Sequence, residues 1–197
     1  MCGRYGFSLN NREAAAILRA VAVLEGAEAA ESLRRGEVFP TDRVPVLLAG
    51  NGRVLPVSAR WGLSSQDKKV LINARAETVL QKPRFRSLMN RRCIVPTTGF
   101  YEWDPERRKG LFTARSSMTW LAGLWEWEGE ERRFVILTTA ANAAMASVHD
   151  RMPLVLTEEQ GLDWLYDRKK AEALLSLQPE MLQADFSGAG QSGSSPV

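Results

Sequence analysis

Histidine and cysteine are scarce in this 197-residue chain, which has one histidine, His149, and two cysteines, Cys2 and Cys93. They would leave a tetrahedral zinc site one ligand short, and neither a Cys-x-x-Cys nor a His-x-x-x-His spacing occurs, so no metal is expected. The cysteines do not form a close pair, and no basic-then-apolar leader follows Met1. A structural disulfide is therefore not expected, and a reducing cytoplasm is the expected compartment. Runs of about 18 apolar residues are absent, which argues against a membrane span. Net charge is small, with 26 Lys and Arg against 23 Asp and Glu. No internal repeat is present. Acidic residues are missing altogether between residues 78 and 101, where Lys82, Arg84, Arg86, Arg91 and Arg92 stand. Such a patch can meet phosphates, with a plain solvated surface as the alternative.

What is present is ordinary for a globular chain: 45 % hydrophobic and 25 % charged residues, enough for one domain with a sizeable core. Asn10-Asn11-Arg12-Glu13 opens a helix, with Asn10 as cap and Glu13 three residues on. Ala14, Ile17, Leu18 and Val21 recur at helical spacing, and Gly26 is a break point. Val44-Pro45-Val46-Leu47-Leu48 and Val54-Leu55-Pro56-Val57 read as two strands joined through Gly50-Asn51-Gly52. Pro45 and Pro56 argue against central ladder positions. A short strand at 70–72 and a short helix from Pro83 to Met89 follow. Segments 93–95, 99–103, 119–127 and 134–139 are rich in β-branched and aromatic residues and read as antiparallel strands. Thr157-Glu158-Glu159-Gln160 is a capping box ahead of a helix carrying Leu162, Trp164 and Leu165. With strands in the middle and helices around them, the expected fold class is α+β. Residues 1–186 are expected to form one domain. The Gly- and Ser-rich tail at 187–197 is expected to be disordered.

Four residues suggest chemistry. Removal of Met1 would leave Cys2 with both a thiol and a free α-amine, two nucleophiles on one residue. A 1,2-aminothiol condenses with an aldehyde, first as an imine and then as a thiazolidine ring; a chance cysteine after the start is the plainer alternative. His149 can give or take a proton near neutrality, although a lone histidine is more often structural. Glu102 lies between Tyr101 and Trp103. If it points inward it is placed for acid–base work, and if outward it is solvated. Asn73 follows an apolar strand, and its amide can hold an amine or a backbone group or simply end the strand.

Taken together and in order, Met1-Cys2-Gly3-Arg4, Asn73-Ala74-Arg75-Ala76-Glu77-Thr78, the segment 93–103 and His149-Asp150-Arg151-Met152-Pro153 resemble the SOS-response-associated peptidase, or SRAP, family. Trp61-Gly62-Leu63 is similar to a further family element, and the resemblance covers roughly residues 1 to 170. It implies antiparallel sheets forming a distorted open barrel with helices packed outside. It also implies that mature Cys2 links to the ring-opened deoxyribose of an abasic site in single-stranded DNA. In that reading Asn73 positions Cys2, Glu102 shuttles protons and His149 assists sugar opening. Arg4, Trp61, Arg75, Arg84 and Arg86 hold the strand. Self-removal of Met1 and a lyase activity are implied too. No cofactor is expected, and the expected form is a monomer that associates with the nucleoid when bound to DNA. The sequence departs from the family at Val38, where an asparagine is usual, and in the short segment between Trp61 and Asn73. Two other functions compete: a cysteine peptidase acting on other proteins, and a non-catalytic nucleic-acid-binding module built on the 82–92 patch.

Overall fold

The computed structural model describes residues 2–65, 67, 69–180 and 182–187; apart from Ser187, the tail expected to be disordered lies outside the described residues. In chain order the strands are β1 (Tyr5–Phe7), β2 (Gly36–Val38), β3 (Arg43–Gly50), β4 (Arg53–Trp61), β5 (Leu63–Ser64), β6 (Val70–Leu71) and β7 (Asn73–Arg75). There follow β8 (Arg92–Thr97), β9 (Gly99–Trp103), β10 (Lys109–Thr113), β11 (Thr119–Glu128), β12 (Glu131–Ala140), β13 (Arg151–Pro153), β14 (Val155–Leu156) and β15 (Gln183–Asp185). The helices are α1 (Arg12–Glu25), α2 (Ala27–Glu31), α3 (Pro83–Leu88), α4 (Glu158–Tyr166) and α5 (Arg168–Leu174). None is long and apolar enough to cross a membrane.

Five strands close on themselves in the order β12-β4-β3-β8-β11, with β11 pairing back onto β12. All neighbours in this ring are antiparallel except β12 and β4, which meet in parallel at Arg133↔Arg60 and Phe134↔Trp61. The α+β class, the antiparallel sheets and the flanking helices are as expected, but the barrel is closed where an open one was implied. A second sheet, β15-β10-β9-β1-β2, packs against the ring.

The side-chain period of two sorts the barrel strands into two cores. Val44, Val46, Val57, Ala59, Trp61, Cys93, Val95, Leu121, Phe134 and Ile136 join Tyr5 and Phe7 of the second sheet, and Cys2 ahead of it, in the first core. Leu47, Ile94, Ala122, Leu124, Val135 and Leu137 face the other way and are covered by Phe85 and Leu88 of α3, Trp164 and Leu165 of α4, and Ala171 of α5.

Local chemistry explains most boundaries. The β3–β4 hairpin turns through Asn51 (φ 47°) and Gly52 (φ 74°), both in the left-handed region that a tight two-residue turn demands. Pro45 and Pro56 do sit inside β3 and β4. They are tolerated because β8 reaches β3 only at Leu47 and Leu48, and β12 reaches β4 only at Arg60 and Trp61. Helix α1 is capped by Asn11, not Asn10: the Asn11 side chain accepts from the N–H groups of Glu13 and Ala14. Glu13 is turned away from that cap, accepting from the Ser117 hydroxyl. Gly26 ends α1 at φ 96° as expected, and Thr157 and Gln160 make the reciprocal capping box of α4. Gln183–Asp185 form β15 on the edge of β10.

Candidate functional site

Strand β1 carries the N-terminal segment along β9, and this pairing builds the site. Tyr5 stands opposite Phe100, and the Tyr101 N–H donates to the Arg4 carbonyl at 2.9 Å. Residues 2 to 4 therefore run beside residues 101 to 103. On β9, alternation turns Phe100 and Glu102 inward and leaves Trp103 exposed. The carboxylate therefore points to the same side as the core. On the far side, β7 pairs in parallel with β12 at Asn73↔Ile136, and the Asn73 Nδ2 donates to the Cys2 carbonyl at 2.8 Å. Asn73 Oδ1 is buried with no hydrogen-bond partner among the described residues.

Cys2 is fully buried. Its thiol points back to the Arg4 carbonyl at 3.8 Å. Burial pushes that thiol up to about 12, and the negative charge of Glu102 adds to the rise. Cys93, also fully buried, has its thiol raised by burial alone, and the Tyr5 phenol beside both is raised chiefly for the same reason. Above pH about 9 the unfolded chain gives up thiol protons that the folded chain keeps. Stability is then expected to fall by about 1.4 kcal/mol per pH unit for each such thiol, a contribution fully present below pH 9. Denaturant unfolding at pH 8 and pH 10 checks this: Cys93→Ala should lose visibly less stability over that interval than the parent chain, and equal losses would contradict it.

His149 enters from a different element, the loop ahead of β13. Its backbone N–H donates to the Met145 carbonyl at 2.9 Å, and Met145 and Val148 root the loop in the core that holds Cys2. Nδ1 accepts from the Arg151 N–H at 2.9 Å. The Asp150 carboxylate lies 2.7 Å from the same Nδ1. Arg151 ties this loop to β7. Its guanidinium binds Glu77 and the Thr138 carbonyl, and Thr138 is the register partner of Arg75.

The expected strand-binding residues are scattered by the fold. Arg4 pairs with Glu37 at 3.2 Å and lies over the rings of Phe39 and Trp103, at 4.5 and 4.8 Å. Arg75 is exposed on β7, two residues from Asn73, and Arg86 is exposed on α3. Arg84 is engaged with the Ser64 carbonyl at 2.6 Å and with Glu126. Trp61 is misassigned as a strand contact. Its ring is fully buried, tilted against Tyr5 at 5.1 Å, with Nε1–H donating to the Ile72 carbonyl at 2.9 Å, so no base can stack on it. The basic patch is also thinner than its charges suggest, because Arg92 turns inward to the carbonyls of Met89, Trp164 and Leu165.

Three supporting residues were not anticipated. Asn142 holds the His149 loop, accepting from the N–H groups of Ala144 and Met145 and donating to the Glu180 carbonyl at 2.8 Å. The Glu77–Arg151 pair joins the 3-10 turn after β7 to β13. An asparagine opening the turn Asn142-Ala143-Ala144-Met145 is a legible local signal; an ion pair across 74 residues is not. Among the described residues, no group of three or more His, Cys, Asp or Glu side chains could hold a metal.

Against this geometry, the family described as SOS response associated peptidase (SRAP) matches residues 1–187. The chain belongs to the SRAP family. A relative from Bacillus subtilis, the abasic site processing protein YoqW, is 41 % identical over 123 residues, 54 % of this chain and 55 % of that protein. This chain thus spans about half the length of that relative. The abasic site processing protein YedK of Escherichia coli is 29 % identical over 84 % of this chain and 79 % of its own. A crystal structure of a protein from Bacteroides thetaiotaomicron shares the fold with a TM-score of 0.73 at 23 % identity, covering 93 % of this SRAP chain and 90 % of that one.

Proposed function

We propose that this SRAP chain processes abasic sites in single-stranded DNA by bonding to them covalently through Cys2 after Met1 has left. The observation that carries the reading is the seating of Cys2. Its carbonyl is held by the Asn73 amide, and the charge of the inward-facing Glu102 acts on its thiol. An abasic deoxyribose is an aldehyde masked as a hemiacetal. His149 gives a proton to the sugar ring oxygen and takes one from the C1′ hydroxyl as the ring opens to the aldehyde. The Cys2 α-amine adds to C1′, Glu102 carries its two protons in turn to the former carbonyl oxygen, and that oxygen leaves as water to give the imine. The Cys2 sulfur then adds to the imine carbon, and the thiol proton ends on nitrogen, closing a thiazolidine. Held together, these groups react as parts of one molecule, not as separate solutes.

Asn73 Oδ1, buried without a partner among the described residues, suits an N–H donor such as the amine of mature Cys2. Arg75 and Arg86 are exposed cations suited to phosphates, whereas Arg4 and Arg84 would first have to exchange Glu37 and Glu126 for one. Removal of Met1 is proposed to be this chain's own work at the same site. A cysteine peptidase acting on other proteins is the competing reading; it predicts no heat-stable bond to abasic DNA.

The test is direct. Incubation with single-stranded DNA carrying one abasic site should give a band that survives heating on a denaturing gel, absent with undamaged DNA and absent for Cys2→Ala. A Cys2→Ala band of equal strength would refute the reading.

A further inference from the structure

The geometry points to Trp61 as a positioning residue that sets Asn73 against Cys2 from inside the protein; this inference rests on the function proposed above. The Trp61 ring is a buried bridge between the two strands that make the site. One face lies against Tyr5 at 5.1 Å, three residues from Cys2 on the β1 segment. Its Nε1–H donates at 2.9 Å to the Ile72 carbonyl, one peptide before Asn73. That carbonyl accepts a second bond, from the Ile136 N–H of β12 at 3.1 Å, so its two lone pairs are fixed from two directions. The Ile136 bond sets β7 along the barrel wall. The Trp61 bond sets how deep the strand sits toward Tyr5 and therefore where the Asn73 amide meets the Cys2 carbonyl.

The backbone of Trp61 is itself fixed. Its N–H donates to the Asp42 carbonyl at 3.0 Å, its carbonyl accepts from the Thr41 N–H at 2.9 Å, and the Gly62 N–H donates to Phe134 at 2.7 Å. A ring held at both ends and fully buried can pass position from barrel to site with little slack. The spacing from Ile72 to Asn73 means that an error of a few tenths of an ångström at the carbonyl is felt at the amide, and misplacement of that order slows reactions between held groups.

The test uses the full chain with Met1 removed. Two variants separate ring from donor: Trp61→Phe, and replacement of Trp61 by benzothienylalanine, which keeps the bicyclic volume and lacks the N–H. The second preserves packing if the first proves too small to fold. For the benzothienylalanine form, the crosslinking rate at saturating abasic DNA should fall roughly fivefold, the loss expected for one neutral hydrogen bond. The dissociation constant for the strand should stay within about twofold. In ¹⁵N spectra the Asn73 side-chain amide should shift or broaden. A weakened dissociation constant with an unchanged saturated rate would overturn the inference, because Trp61 would then be touching DNA; so would an unchanged rate with an unmoved Asn73 signal. If the parent chain forms no crosslink at all, the proposed function fails, while the Asn73 signal still reports on the brace.

Discussion

A chain extended in front of Cys2 by a residue that is not removed should form no heat-stable bond to abasic DNA, while still binding the strand. The reason lies in the nitrogen. Once acylated, the Cys2 nitrogen is an amide whose lone pair is delocalised, and it cannot form an imine with an aldehyde. The thiol alone can add to an aldehyde only as a hemithioacetal, which reverts on heating. The second bond of the thiazolidine is also lost, and with it the advantage of an intramolecular closure, worth an effective concentration on the order of 10⁵ M or more. The product should drop below detection on a denaturing gel, while anisotropy of a labelled strand shows binding within about twofold of the mature chain. A crosslink from the extended chain at the mature rate would mean that another nucleophile does the work.

The second large effect is expected at Glu102. Glu102→Gln should slow crosslinking at saturating DNA by roughly 10²- to 10⁴-fold, the usual worth of a positioned acid–base group. The same change should make the Cys2 thiol more acidic. Burial, the larger cause of its raised value, stays, but the charge that adds to it is gone. A sulfur that becomes easier to ionise while the reaction becomes slower separates proton transfer from simple electrostatics. Rates across pH 6–9 together with a thiol titration check this. If the pH–rate profile keeps its shape and the rate stays within about threefold, Glu102 has no part in moving protons.

Where local chemistry decides structure, the sequence was legible. Asn51-Gly52 announces its turn, Gly26 its break and Thr157 to Gln160 its cap, because each satisfies or excuses backbone groups within four residues. Asn10 against Asn11 is a one-residue ambiguity of the same kind: both can cap, and the choice fell to the residue whose amide also reaches the Ser117 carbonyl at 2.6 Å. Closure of the barrel was not legible. It depends on the parallel meeting of β12 with β4, between residues more than 70 positions apart, for which a strand pattern holds no register.

The candidate site divides in the same way. Residue types at Cys2, Asn73, Glu102 and His149 suggest a site before any fold is known. Orientation is another matter: alternation alone left Glu102 free to face either way until Phe100 was seen opposite Tyr5 in the core. Trp61 and Arg92 show the reverse error. A tryptophan and an arginine in a basic, DNA-related context suggest a surface, but the ring fills the barrel and the guanidinium closes the ends of α3 and α4. A side chain rich in contact area or in donors serves an interior as well as a ligand, and sequence does not distinguish the two.

The measurement that bears most directly on the account is mass spectrometry of the N-terminal peptide recovered after reaction with abasic DNA, with borohydride and iodoacetamide treatments run in parallel. The account predicts a peptide that begins at Cys2 and carries the sugar remnant with one water lost. Its sulfur should resist alkylation under denaturing conditions, and borohydride should leave its mass unchanged, as a closed thiazolidine requires. A peptide that still begins at Met1, a sugar found on a lysine, or a Cys2 sulfur open to alkylation would contradict it.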